Sequence, residues 1–66
     1  MAFHVIWRDN GYPTSSCHKT TMAEALRVAR AWAGGLTEKA VTDLQQGEQI
    51  VVGDCETLEI FNGTDT

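Results

Sequence analysis

Apolar residues recur with the period of a helix between Thr21 and Leu36, in the stretch TMAEALRVARAWAGGL. At about 100° per residue, Met22, Ala25, Leu26, Val28, Ala29, Trp32, Ala33 and Leu36 share one arc of roughly 160°, with Ala23, Glu24, Arg27, Arg30 and Ala31 opposite. The spacing predicts a helix laid on a core. Thr21 is placed to accept from the Glu24 amide and the Glu24 carboxylate to reach back to the Thr21 amide, a capping box. Gly34 and Gly35 predict its end, because a closing residue at positive φ is cheap only for glycine.

Elsewhere the period changes. Phe3 to Arg8 alternates, with Phe3, Val5 and Trp7 on one side and His4, Ile6 and Arg8 on the other, which predicts a strand. Asp9-Asn10-Gly11 then reads as a hairpin turn, since Asn and Gly both tolerate positive φ. Tyr12 to Cys17 is expected to return as a short, irregular edge strand, because Pro13 has no amide for a ladder. Thr37 is a second N-cap, with Leu36 packed on Val41, opening a helix of about ten residues that Gly47 ends and that must dock through Ala40, Val41 and Leu44. Glu48 to Val52 and Glu56 to Phe61 read as two more strands, joined through Gly53-Asp54-Cys55. Residues 1–61 then make one domain, with 62–66 as a frayed polar tail.

The order β-β-α-α-β-β predicts an α+β fold, a small antiparallel sheet with its helices packed on one face. Phe3, Val5, Trp7, Ile50, Val52, Leu58 and Ile60 would meet Met22, Leu26, Ala29, Ala33 and Leu36 beneath the helices. The other face would carry His4, Ile6, Arg8, Val51, Thr57, Glu59 and Phe61. Through Ile6, Val51 and Phe61 it is a candidate surface for another chain, the alternative being an ordinary half-exposed face.

Size limits what such a fold can do. With 66 residues the chain is near the lower end of what folds without metal or disulfides, burying about 60% of its unfolded surface. At 42% hydrophobic and 21% charged residues with a single proline, it is globular in composition. No run approaches the ~18 apolar residues of a membrane span, and MAFHVIWRD lacks a basic leader and a cleavage site, so the expected location is cytoplasmic. Cys17 and Cys55 lack the spacing of zinc or redox motifs and read as two reduced thiols.

Several chemistries find no support. Only Gly11 precedes the first helix, too little for a phosphate loop. Cys17 and His18 are neighbours on a strand and so face opposite ways, which argues against an activated thiolate. His4, Cys17, His18 and Cys55 share no ligand spacing, so no metal site and no cofactor are expected, and His4 reads as a solvent-facing strand residue. Glu56 with Glu59, or Asp43 with Glu48, would need an apolar pocket to act as acid and base, and a chain this small seldom encloses one. The expectation is a non-enzyme. Lys19, Arg27 and Arg30, with Tyr12 nearby, allow at most weak nucleic-acid binding through the outer helix face. The plainer reading of Arg27 is an ion pair with Glu24 at i, i+3.

Charge changes the picture more. The formal net charge is −4, but residues 1–37 hold Arg8, Lys19, Arg27 and Arg30 against Asp9 and Glu24, a balance of +2. Residues 38–66 hold seven carboxylates against Lys39, a balance of −6. A dense carboxylate array can occupy a basic surface that otherwise binds nucleic acid, and Asp43, Glu48, Asp54, Glu56 and Glu59 are the candidates for one.

In size, acidity and single-layer α+β plan the chain resembles, in outline and over its whole length, the small inhibitors of phages and mobile elements, especially the anti-CRISPR proteins. The resemblance implies a bacterial cytoplasmic setting, no enzymatic activity, and a protein partner with a basic surface. That partner would be a subunit of a CRISPR surveillance complex, blocked at its DNA-binding or PAM-reading surface. The competing expectation is a structural interaction module, a homodimer or assembly subunit joined through the open sheet face.

Overall fold

The computed structural model describes residues 2–63. It is an α+β fold: a four-stranded antiparallel sheet in the order β2-β1-β4-β3 with two helices between the strand pairs. The elements are β1 (Ala2–Asp9), β2 (Tyr12–Lys19), α1 (Met22–Ala33), α2 (Glu38–Gln45), β3 (Ile50–Val51) and β4 (Glu56–Gly63). Asn10 at φ 55° and Gly11 at φ 84° make the two-residue turn between β1 and β2. That is the geometry Asn-Gly favours, because its twist matches that of the strands it joins.

α1 starts and stops where its sequence directs. The Glu24 amide donates to Thr21 Oγ1 at 3.2 Å, and Gly34 closes the helix at φ 77° with its amide on the Arg30 carbonyl. The other half of the expected capping box is different. The Glu24 carboxylate takes the hydroxyls of Thr20 and Thr21, at 3.1 and 3.2 Å. So occupied, Glu24 makes no ion pair with Arg27, and the expected i, i+3 pair is absent among the described residues. Thr37 caps α2 through the Ala40 amide at 3.1 Å.

β1 extends one residue further at each end than the sequence reading, β2 and β4 each run two residues further at one end, and β3 is shorter by two residues at its start and one at its end. β2 is not short: it runs eight residues to Lys19 along the sheet edge. It accommodates Pro13 by a bulge, in which Trp7 pairs with Ser15 and Arg8 with Pro13, leaving Thr14 as the extra residue. The Thr14 hydroxyl donates to the Trp7 carbonyl at 3.3 Å across this irregularity. β3 shrinks to Ile50 and Val51, whereas β4 continues through Asn62 and Gly63 opposite Phe3 and Ala2. Two residues assigned to a tail therefore belong to the sheet; 64–66 lie outside the described residues.

The core is one layer between sheet and helices. Val5, Ile50, Leu58 and Ile60 from the sheet meet Ala25, Leu26 and Ala29 of α1 and Leu44 of α2, with Phe3, Trp7, Trp32 and Leu36 packed around them. Register builds it directly, since Val5 stands opposite Ile60 and Trp7 opposite Leu58. α1 lies over β1 and β2, and α2 over β3 and β4. The N-terminal and C-terminal halves thus sit side by side with the β1–β4 ladder as their seam.

Leu58 is fully buried at this seam. Leu58→Ala should destabilise the fold by about 2–5 kcal/mol, read as a lower urea midpoint, because such a thin core collapses poorly around the cavity.

Candidate functional site

The sheet face away from the helices is uncovered, and its layout follows from the register. One row across it is Phe61, His4 and His18; the next is Glu59, Ile6 and Ser16; the third is Val51, Thr57, Arg8 and Pro13. Phe61 is 40% exposed and Val51 76%, while Ile6 between the rows is half-buried. Ile6, Val51 and Phe61 do share this face, as the alternation implied. Phe61 and Ile6 are diagonal neighbours, but Val51 stands off by about 13 Å, four residues along β4 at ~3.4 Å each.

The rows carry specific contacts. The His4 ring stacks on Phe61 with centroids 5.0 Å apart and planes 7° from parallel. His18 meets His4 edge-on at 4.1 Å. Arg8 and Glu59 form an ion pair across the seam, with side chains only 29% and 19% exposed. Among the described residues it is the face's one pair of formal charges, and they cancel. His4 lies on the open face as a strand residue, in contact there with Phe61 and His18.

This row depends on the β2 bulge. A regular two-residue hairpin would place Cys17, not His18, opposite His4. The extra residue at Thr14 shifts the register by one, so that Val5 faces Cys17 and His4 faces His18. Cys17 turns inward against the core, and its free thiol lies on the opposite side of the strand from His18. Asn-Gly was a sufficient signal for the turn, but no residue type announced the bulge.

The five carboxylates proposed as an array do not share a face. Glu59 is on the open face, bound to Arg8. Glu56, three residues earlier on β4, is on the helix side, and its carboxylate lies against Gly53 in its own loop. Asp43 on α2 accepts from Lys39 Nζ at 2.9 Å; this hydrogen bond, with the charge of Asp43, raises the Lys39 pKa. Glu48 follows α2, its amide on the Asp43 carbonyl, and Asp54 is exposed in the β3–β4 loop. That loop adjoins the β1–β2 turn, where the Asn10 amide donates to the Cys55 carbonyl at 2.8 Å.

Topology does keep the two halves' charges apart. Lys19, Arg27 and Arg30 lie on the β2 and α1 side, and Glu38, Asp43, Glu48, Asp54 and Glu56 on the α2 and β3 side. Arg30 lines a groove with Leu36, Glu38, Val41 and Thr42 where the two sides meet. Among the described residues no polar or charged residue is buried, and no helix is long and apolar enough to cross a membrane.

The Arg8–Glu59 pair should give a coupling of about 0.2–1 kcal/mol in a double-mutant cycle with Arg8→Ala and Glu59→Ala, declining as salt is added. Coupling unchanged by salt would mean that packing, not charge, joins these side chains.

Compared with family models, curated proteins and solved structures, the chain matches none.

Proposed function

We propose that the chain is a protein-interaction module that pairs with a second copy of itself through the open sheet face. The observation that carries this reading is that, among the described residues, the face is charge-neutral on an acidic molecule. With net charge −4, copies meeting elsewhere on the acidic half would bring like charges together. On the open face Arg8 and Glu59 are each other's complement, so a two-fold arrangement can exchange these partners between copies. A thin core also benefits from the added burial.

Light scattering tests this. The expected result is twice the chain mass at micromolar concentration, retained in high salt and lost in Phe61→Asp, where circular dichroism confirms the fold. A monomer at millimolar concentration rejects it.

A second reading, inhibition by occupying a basic surface as in the anti-CRISPR proteins, is favoured by the segregation of charge between the halves. Glu48 and Asp54, exposed and free of basic partners among the described residues, would then carry the contact rather than all five carboxylates. Its test is target-DNA binding by a CRISPR effector complex in the presence of the chain. Inhibition that Glu48→Lys and Asp54→Lys relieve supports this reading, and undisturbed DNA binding rejects it.

A further inference from the structure

We infer that the outer edge of β2 and the flank of α1 above it pair with the same elements of a second copy, in an antiparallel β2–β2 ladder centred on Cys17. β2 ends the sheet and pairs only with β1, so its other side is open, along residues that are mostly exposed. Which of its groups face outward follows from the ladder. The Asn10 amide bonds to the Cys55 carbonyl, on the β4 side of β1. Hydrogen-bonding direction alternates along a strand, so Arg8, Ile6 and His4 turn to β4, and Trp7, Val5 and Phe3 to β2. The Thr14 hydroxyl on the Trp7 carbonyl agrees. Their partners Ser15, Cys17 and Lys19 therefore face β1, and the amides and carbonyls of Ser16 and His18 face outward. Among the described residues, the one bond to these outward groups is a long contact of 3.9 Å from the Cys17 thiol to the His18 carbonyl.

An edge with this spacing is self-complementary. Turned about a two-fold axis at Cys17, Ser16 of each copy stands opposite His18 of the other, and each such pair exchanges both of its backbone hydrogen bonds. Lys19 falls opposite Ser15, so the ammonium groups of the two copies lie at opposite ends of the ladder. Pro13, which has no amide, and the bulge at Thr14 blunt the rest of the edge. They confine the ladder to residues 15–19 and so fix its register.

The helix and the charges favour a second copy as the occupant. Arg30 lines the groove shared with Glu38, Val41 and Thr42 of α2. At about 100° per residue, Val28 and Trp32 lie on the opposite flank of α1, and because α1 sits over β1 and β2 that flank is the one nearer the β2 edge. Both side chains are only half-buried against the core. With strands about 4.8 Å apart, an α1 midway over β1 and β2 would stand roughly 10 Å from its copy across the axis, the distance of packed helices. Val28, Trp32 and the inward-turned Cys17 would then close one apolar layer between the copies. Electrostatics selects the same edge. The acidic residues of a chain with net charge −4 lie on the α2 and β3 side, so copies joined at β2 hold them furthest apart.

This contact is independent of face-to-face pairing, in which Cys17 lies on the helix side and cannot reach its copy. Across the β2 ladder the two Cys17 residues occupy a non-hydrogen-bonded site with Cα atoms about 4.5 Å apart, within the range of a disulfide. The test uses the full chain with Cys55→Ser and Phe61→Asp, which remove the exposed thiol and the open-face contact. At millimolar protein, light scattering should show twice the chain mass. Diamide, which takes up the electrons and protons that a pair of thiols gives up on forming a disulfide, should then link Cys17 to its copy on a non-reducing gel. Ser16→Pro, whose lost amide points away from β1, and Val28→Lys should each lower the linked fraction about tenfold, and circular dichroism identifies which of them keeps the fold and so decides. A monomer at millimolar concentration, a dimer without the Cys17 link, or a link undiminished in a folded variant overturns edge pairing. Loss of the wild-type dimer in Phe61→Asp at micromolar concentration, with no Cys17 link, leaves the open-face reading and removes the edge. A Cys17 link in a chain whose association ignores Phe61→Asp does the reverse.

Discussion

The pairing of the first strand with the last is the constraint on which the rest of this structure depends. The other main contacts join elements that are adjacent in the chain or one element apart: β1 with β2, α1 with both of them, α1 with α2, and α2 with β3 and β4, which pair with each other. Only the β1–β4 ladder joins residues as distant as Val5 and Ile60. Closing that loop costs chain entropy before any burial compensates for it. The compensation is concentrated at the seam itself, where Val5, Leu58 and Ile60 are buried on the helix side and Arg8 meets Glu59 on the other. A seam with apolar packing on one surface and an ion pair on the opposite one tolerates little slippage, because a shift of one residue would exchange the two.

From the same seam follows the placement of charge. Since each half of the chain folds on its own side of the β1–β4 ladder, a polarity along the sequence becomes a polarity across the molecule. Yet within the acidic half the carboxylates are dispersed by the alternation of a strand and by the turn of a helix. Glu56 and Glu59 are close in sequence but on opposite sides of the sheet. Asp43 satisfies Lys39 one helical turn away. A run of like charge in a sequence is thus not a patch in space when the element beneath it has a period of two. Neutrality of the open face among the described residues arises in the same way, because Glu59, and not Glu56, shares the side of the strands that carries Arg8.

Much of the fold was legible because local rules decided it. Thr21, Gly34 and the apolar arc between them located α1 almost to the residue, and Asn10-Gly11 located the first turn. Alternation in β1 and β4 assigned Phe3, Val5, Trp7, Leu58 and Ile60 to the covered face and His4, Ile6, Glu59 and Phe61 to the open one. Strand ends were less legible. β3 pairs with β4 only at Ile50 and Val51, although β4 continues past Leu58, and Asn62 and Gly63 are strand residues because Phe3 and Ala2 lie beside them.

The sequence by itself determined which residues turn inward on β1, β4 and the two helices, because that choice depends on a period of 2.0 or 3.6 and on caps made within a few positions. It could not determine which residues meet. The bulge at Thr14, which brings His18 beside His4 and Cys17 under the helices, is selected by packing across β1 and has no signature in residue type. Nor could sequence show that Gly63 would come to rest on the His4 ring or that Arg8 would claim Glu59, since both contacts cross the seam between chain ends. Those juxtapositions belong to the tertiary structure, where residues far apart in the chain must share one small core.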